Sequence, residues 1–322
     1  MFIWPLLSVE VNSWKMSYKV QKITDPLVLG EGPHWDTRQQ ALFFVSIQEK
    51  TIHKYVPASG DHTKATLDGR PGFIVPVEGH PNQFVVGMEL KFVVVEWDGK
   101  DGSTPRVLRE LGEVDQHEPS NRINDGKADP RGRLFAGTMG FEDPPGVFRE
   151  EKGSLYRIDS SRGGKIERVA DKIGISNGLA WDLREKALYY TDSPEGKVRR
   201  YDYDVETGDI SNPTYIFDLR KNNLQGFPDG TTIDTDGNLW IAVFDSSCVI
   251  KVDPRTGKLL EKIPIPAKQV TSVTFGGPNY DVLFVTTASM TIGGEEQLPP
   301  SGATYMVTGL GVKGHPNVNF KL

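Results

Sequence analysis

Cysteine occurs once in 322 residues, at Cys248, so no disulfide can form within the chain and a reducing compartment, the cytoplasm, is expected. Cys248 lies in a strand-like run, 243–252, where a lone thiol reads as a small packing residue rather than a nucleophile. No apolar stretch approaches the roughly 18 residues of a membrane-spanning helix. The apolar opening, 1–8, has no cationic residue ahead of it, contains Pro5 and soon meets Glu10, a poor match to a secretory signal; residues 1–15 are expected to be an extension outside the fold. Basic stripes are missing too: the formal charge is -6, with acids and bases mixed along the chain, which argues against nucleic acid and membrane partners. No obligate protein partner is evident. Helical patterning is scarce, because 34 glycines and 22 prolines punctuate the chain too often for long amphipathic helices.

What the chain does have is a long-period repeat. Five segments share one grammar: a Gly- or Asp-containing turn, a short apolar strand, a polar turn, an aromatic-rich strand, then a further strand. The first runs Gly30-Glu31-Gly32-Pro33-His34-Trp35-Asp36, followed by strands at 41–45 and 51–56. Its relatives begin at Asn124-Asp125-Gly126, Ser176-Asn177-Gly178, Pro228-Asp229-Gly230 and Thr271-Ser272-Val273, each followed by an aromatic strand such as Ala187-Leu188-Tyr189-Tyr190 or Asn238-Leu239-Trp240. The spacing is 93 residues from Glu31 to Asn124, 53 from Asn124 to Asn177, 52 from Asn177 to Asp229 and 43 from Asp229 to Ser272. The doubled first interval must hide a degenerate unit, and Pro71-Gly72-Phe73-Ile74-Val75-Pro76 with strands at 83–87 and 92–97 supplies it. Six units of about four short strands have the period of propeller blades, so an all-β six-bladed propeller over residues 16–322 is expected. A β-sandwich is the alternative, but sandwiches carry turn signals every 8–12 residues without a higher-order period. Closing the ring requires a strand from 18–23 to pair with the last unit near 303–307.

The innermost strands of a propeller face a common axis, so equivalent residues near the start of each unit form a constellation. Those positions hold Glu31, Asn124, Asn177 and Asp229, all oxygen donors, which suits a hard divalent cation such as Ca²⁺, Mg²⁺ or Mn²⁺, with Zn²⁺ also able to accept carboxylates. Taken singly, each Asp or Asn could simply make the turn into its blade. Glu31, a poor turn residue, is not explained that way. Arg122, two residues before Asn124, would share its strand face and could bind a polar substrate, or could pair with Glu118 at the surface. Two motifs are decoys. Gly174-Ile175-Ser176-Asn177-Gly178 fits the nucleophile-elbow pattern but is followed by strands, not a helix, and Gly309-Leu310-Gly311-Val312-Lys313-Gly314 fits a dinucleotide loop with no room for a helix after it. The six histidines show no ligand spacing and read mostly as surface or turn residues.

These residues resemble the regucalcin (senescence marker protein)/gluconolactonase family, with particular similarity to its insect, luciferin-regenerating members. Gly30-Glu31-Gly32-Pro33-His34-Trp35, Arg122-Ile123-Asn124-Asp125-Gly126-Lys127, Phe135-Ala136-Gly137-Thr138-Met139, Ile175-Ser176-Asn177-Gly178-Leu179 and Phe227-Pro228-Asp229-Gly230 stand in the family's order. The resemblance implies that Glu31, Asn177 and Asp229 bind one divalent metal ion, that Arg122, Asn124 and Glu142 contact substrate, that Asp229 doubles as general base, and that the run 309–314 is a strand. Residues 1–15 have no family counterpart, and the loop 141–152 varies among relatives. Three activities follow as expectations: a metal-dependent lactonase opening a sugar lactone, a hydrolase of the luciferin-regenerating type on the same scaffold, or a non-enzymatic calcium-binding regulator. The last has no EF-hand loop to support it, since Asp202-Tyr203-Asp204 lacks the required Gly and Glu.

Overall fold

The computed structural model describes residues 18–140 and 151–322; residues 1–15 and Glu142 lie outside the described residues. Six four-stranded antiparallel sheets are arranged as a β-propeller. Blades 1 to 5 take their strands in chain order, from 30–66, 71–113, 122–173, 176–218 and 227–264. Blade 6 combines Gln269–Gly276, Val282–Ala288 and Tyr305–Thr308 with Lys19–Lys22 as its outer strand. That pairing, Lys19 opposite Thr308 through Lys22 opposite Tyr305, is the ring closure expected from the sequence. Among the described residues the only helical elements are three 3₁₀ turns of three residues each, and no helix is long and apolar enough to cross a membrane.

Burial grades outward across each blade. The innermost strands Gly30–Asp36 and Ser176–Asp182 are buried throughout, whereas the fourth strands, such as Arg106–Glu113 (Arg-Val-Leu-Arg-Glu-Leu-Gly-Glu), are mostly exposed. Charged outer strands protect sheet edges from pairing with other chains. Aromatic pairs join neighbouring blades: Phe43 meets Phe84 at 4.8 Å between blades 1 and 2, Phe135 meets Trp181 at 5.5 Å between blades 3 and 4, Trp240 meets Phe275 at 5.6 Å between blades 5 and 6, and Trp35 stacks on Phe284 at 5.4 Å across the closing joint. Cys248 is fully buried in the cluster between blades 4 and 5, as its packing role requires.

Every innermost strand is bulged in its pairing with the second strand. The register slips between Glu31 and His34, Pro71 and Ile74, Ile123 and Asp125, Asn177 and Leu179, Pro228 and Thr231, and Val270 and Ser272. Bulges re-aim side chains beside active sites, and here they recur at the repeat position that carries the oxygen donors. The turn role considered for these residues is therefore corrected: they lie within strands, at bulges. Adjacent innermost strands also run very close. A Cβ at Gly178 would stand 2.6 Å from the Asp229 carbonyl oxygen, and one at Gly230 would stand 2.7 Å from Ser272 Cα and 1.9 Å from its Oγ.

Two further expectations are corrected. The run 309–314 is not a strand: Gly309 and Gly311 adopt φ of 82° and 69°, and the chain instead leaves blade 6 and passes across the ends of other blades. Thr235 N–H donates to the Lys313 carbonyl, Trp35 N–H to Asn317 Oδ1, and Phe320 N–H to the Pro76 carbonyl, at 2.8, 2.6 and 2.9 Å. The run 243–252 is a hairpin, turning at Asp245 and Ser247, both with positive φ. Two of the six histidines are buried inside strands: His34, with Nε2 3.3 Å from Asn319 Oδ1, and His53, bonded to Thr51 and His62.

The close approach at Gly230 yields a stability test. Gly230→Ala should cost about 1–3 kcal/mol through overpacking, read as a lowered denaturation midpoint. Adding Ser272→Gly, which removes the clashing Oγ and Cβ, should restore part of that loss in a double-mutant cycle.

Candidate active site

Glu31, Arg122, Asn124, Asn177 and Asp229 line one cavity of about 430 Å³ at the N-terminal ends of the innermost strands. They come from blades 1, 3, 4 and 5, so the fold brings together the residues singled out in the sequence, Glu142 excepted because it lies outside the described residues. Each acid near the axis is held in the same way. Glu31 accepts from Gly32 N–H at 3.0 Å, Asp125 from Gly126 N–H at 2.8 Å, and Asp229 from Gly230 N–H.

The amides are fixed by a directional chain. Arg122 Nη1 donates to Asn124 Oδ1 at 2.6 Å, and Asn124 Nδ2 donates to Asn177 Oδ1 at 3.1 Å and to the Ser176 carbonyl at 2.9 Å. Asn177 Nδ2 then donates to Ser193 Oγ at 2.8 Å, and the Ser193 hydroxyl donates to the Pro228 carbonyl at 2.7 Å. This assigns Asn177 Oδ1, rather than its NH₂, to the Asn124 side. Sequence reasoning missed Ser193. No motif marks it, and only the packing of the 3₁₀ turn Ser193–Glu195 against blade 5 brings it into the chain. The Arg122–Glu118 pairing considered above is not made; Glu118 pairs with Lys152 at 3.3 Å.

Electrostatically the site is crowded with acid. Burial, reinforced by Asp125, pushes the Glu31 carboxyl up to about 8. Asp229 is raised well above the ordinary carboxylate range by burial and then by Glu31 and Asp125, while burial also raises Asp125. Below them Lys127 is drawn down to about 8 by burial. Asp229 Oδ1 is buried with no hydrogen-bond partner among the described residues. An unpaired buried carboxylate oxygen is costly, and a proton or a cation must answer it. Among the described residues no three His, Cys, Asp or Glu side chains form a metal-holding group, so an ion here would need a carboxamide oxygen as well as acids. Asn177 Oδ1 beside Glu31 and Asp229 offers that all-oxygen set, which fits a hard divalent cation.

The upper walls differ from the floor. Met139, Ile175, Phe227, Phe244, Met290 and Ile292 face the cavity. Several polar wall groups are committed elsewhere: Gln269 bonds both the carbonyl and the N–H of Met290, at 2.8 and 2.9 Å, and Asp245 and Glu295 share the Lys268 ammonium at 3.1 and 2.6 Å. Ser176, in the nucleophile-elbow decoy, is fully buried and accepts from the Tyr190 hydroxyl at 2.8 Å, so its Oγ bonds a phenol rather than a histidine base.

Comparison with known proteins shows the family. Residues 29–289 match the family model described as SMP-30/Gluconolactonase/LRE-like region. Regucalcin of Gallus gallus is 34% identical over 307 residues, covering 94% of this chain and 99% of that protein; human regucalcin is 36% identical over 287 residues, covering 88% and 92%. A luciferin-regenerating enzyme of known structure superposes with a TM-score of 0.89 at 41% identity, over 95% of this chain and all of that one. A calcium-binding regucalcin from Agrobacterium tumefaciens superposes with a TM-score of 0.82 at 24% identity, over 95% and 98%, which speaks to the fold alone.

Two tests follow from the site. Glu31 and Asp229 hold protons more tightly when folded than when unfolded, so between the ordinary Glu value of 4.5 and about 8 the folded chain binds more protons. Stability of the chelated protein should therefore fall as pH rises through that window. Added Ca²⁺ or Zn²⁺ should raise the melting temperature more at pH 8 than at pH 5, because cation and protons compete for the same oxygens; an equal rise at both would contradict the competition. Ser193→Ala, which releases Asn177, should weaken cation affinity about 10-fold or more by calorimetry, within the range for groups that orient a ligand.

Proposed function

The chain belongs to the SMP-30/gluconolactonase/LRE-like family, and we propose that it is a metal-dependent hydrolase that opens a lactone, with sugar lactones such as gluconolactone as the first substrates to test. One observation carries the reading: Asp229 Oδ1, buried and without a hydrogen-bond partner among the described residues, stands among other raised acids in a cavity that also holds Arg122 and Asn124. Glu31, Asn177 and Asp229 would hold one divalent ion, Ca²⁺, Zn²⁺, Mg²⁺ or Mn²⁺. When bound, that ion supplies Lewis-acid polarisation of the ester carbonyl and positive charge for the developing oxyanion.

The side chains do the remaining work. Arg122, oriented by its 2.6 Å bond to Asn124 Oδ1, presents guanidinium N–H groups to the oxygens of the substrate, and Asn124, whose two amide N–H groups are already donated, meets a substrate hydroxyl as an acceptor through Oδ1. Asp229, ionised, takes a proton from the attacking water as the water oxygen bonds to the carbonyl carbon. The ring C–O bond then breaks, and the proton passes from Asp229 to the released alkoxide, leaving a hydroxy acid.

A second reading has its own support. The wall of Met139, Ile175, Phe227, Phe244, Met290 and Ile292, with neighbouring Gln269, Asp245 and Glu295 engaged elsewhere, suits an aromatic or alkyl body better than a ring of hydroxyls. Likeness to a luciferin-regenerating enzyme points the same way.

Turnover of gluconolactone and of an aromatic lactone, dihydrocoumarin, should be compared side by side, before and after chelation and with each divalent ion restored. Chelation should abolish hydrolysis, and Asp229→Ala should lower it at least 10³-fold while also removing ion binding. Wild-type rates in Asp229→Ala would reject the assignment. Preference for dihydrocoumarin would select the second reading, and tight Ca²⁺ binding with neither substrate turned over would favour a calcium-binding regulator.

A further inference from the structure

A second cavity, of about 340 Å³, opens at the C-terminal ends of the same innermost strands, away from the acids. It lies between blades 3, 4 and 5 and is roofed by the C-terminal segment, including Pro316 and Val318. Its size falls within the lower range of small-molecule sites. Most of its lining is apolar, with Leu179, Trp181 and Ile233 among the walls, so it is not a simple water channel.

Its charged groups are unevenly committed. Lys127 Nζ donates to the Leu179 carbonyl at 3.0 Å and to the Thr231 carbonyl at 2.8 Å. An ammonium has three N–H donors; among the described residues its hydrogen-bond partners are these two carbonyls, and Asp125 attracts it without forming an ion pair. Two carbonyls tie the ammonium in place and leave one donor over. Asp182, the acid in the lining, already accepts from Arg184 N–H at 2.8 Å and Glu185 N–H at 3.3 Å. Arg184 also lines the cavity, its guanidinium 3.5 Å from Asp182 Oδ2, and His315 adds an imidazole. Trp181 contributes an indole whose Nε1 is buried and has no partner among the described residues.

We propose that this second cavity binds a small organic carboxylate with a compact apolar body, its anion received by the remaining N–H of Lys127 and its body packed against Leu179, Trp181 and Ile233. The ligand chemistry follows from the lining: a fixed cation with an uncommitted donor calls for an anion, and the apolar walls call for more than an inorganic ion. The site does not depend on the hydrolytic reading, because it shares no residue with the acid-lined cavity.

Benzoate titrated calorimetrically into the full chain tests the proposal, with benzamide as the neutral isostere and inorganic phosphate as the anion without an apolar body. Benzoate should bind saturably at one site, at least 10-fold more tightly than benzamide or phosphate. That binding should persist in Arg122→Ala, which removes the cation of the other cavity. Lys127→Met should weaken benzoate at least 10-fold. Because that change also unties two carbonyls, Leu183→Glu serves as a second variant: Leu183 lines the cavity but is 51% exposed, so a carboxylate there repels benzoate without disturbing the core. Leu183→Glu should weaken benzoate and leave benzamide unchanged. Equal binding of benzoate and benzamide, loss of benzoate binding in Arg122→Ala, tighter binding of phosphate than benzoate, or wild-type benzoate affinity in Leu183→Glu would each overturn the proposal.

Discussion

Like charge held out of water governs this molecule. Glu31, Asp125 and Asp229 are all raised by burial, Asp125 raises Glu31 further, Glu31 and Asp125 raise Asp229 further, and Arg122 is the cation that relieves both Glu31 and Asp229. A fold that gathers acids in this way pays a desolvation penalty unless something positive joins them. The rest of the site can be understood from that constraint. Bulges in successive blades turn oxygen donors toward the axis, each acid leans on the amide of the residue that follows it, and the chain from Arg122 through Asn124, Asn177 and Ser193 fixes which end of each amide faces inward.

Much of this was legible in the sequence because a propeller repeats. Period alone located six blades, including the degenerate second one, and the closure of blade 6 by residues near the N-terminus followed from the need to leave no open edge. Repeat equivalence grouped Glu31, Asn124, Asn177 and Asp229 although they are spread over 198 positions. The misses have physical causes. A bulge and a turn draw on the same residues, so Asn-Asp-Gly and Asp-Gly were open to either reading. Gly309 and Gly311 look compatible with a strand in a string of letters, but their left-handed conformations end it. Ser193 and Lys127 act through contacts with carbonyl groups, which carry no sequence signature, and the apolar wall of the acid-lined cavity draws Met290 and Ile292 from a connection with no repeat counterpart.

The axis has two chemically distinct ends. At the starts of the innermost strands acids predominate; a few residues further along, Lys127 spans the gap to Leu179 and Thr231 and separates that region from the apolar cavity beneath. One ammonium thus links blades 3, 4 and 5 through carbonyl groups. The two cavities share no lining residue, so whatever occupies one need not compete with what occupies the other.

Ring closure by Lys19–Lys22 has a consequence for biosynthesis. The partner of this strand, Tyr305–Thr308, is among the last parts of the propeller to leave the ribosome. Blades 1 to 5 can assemble from local hairpins as they emerge, yet the strand Lys19–Lys22 must wait unpaired until all five of them have been made. Such late, long-range pairing is slow and leaves sheet edges uncovered in the interim. The short, lysine-flanked sequence Lys19-Val20-Gln21-Lys22 is suited to that wait: its charge and brevity discourage association with other nascent chains until its own partner arrives.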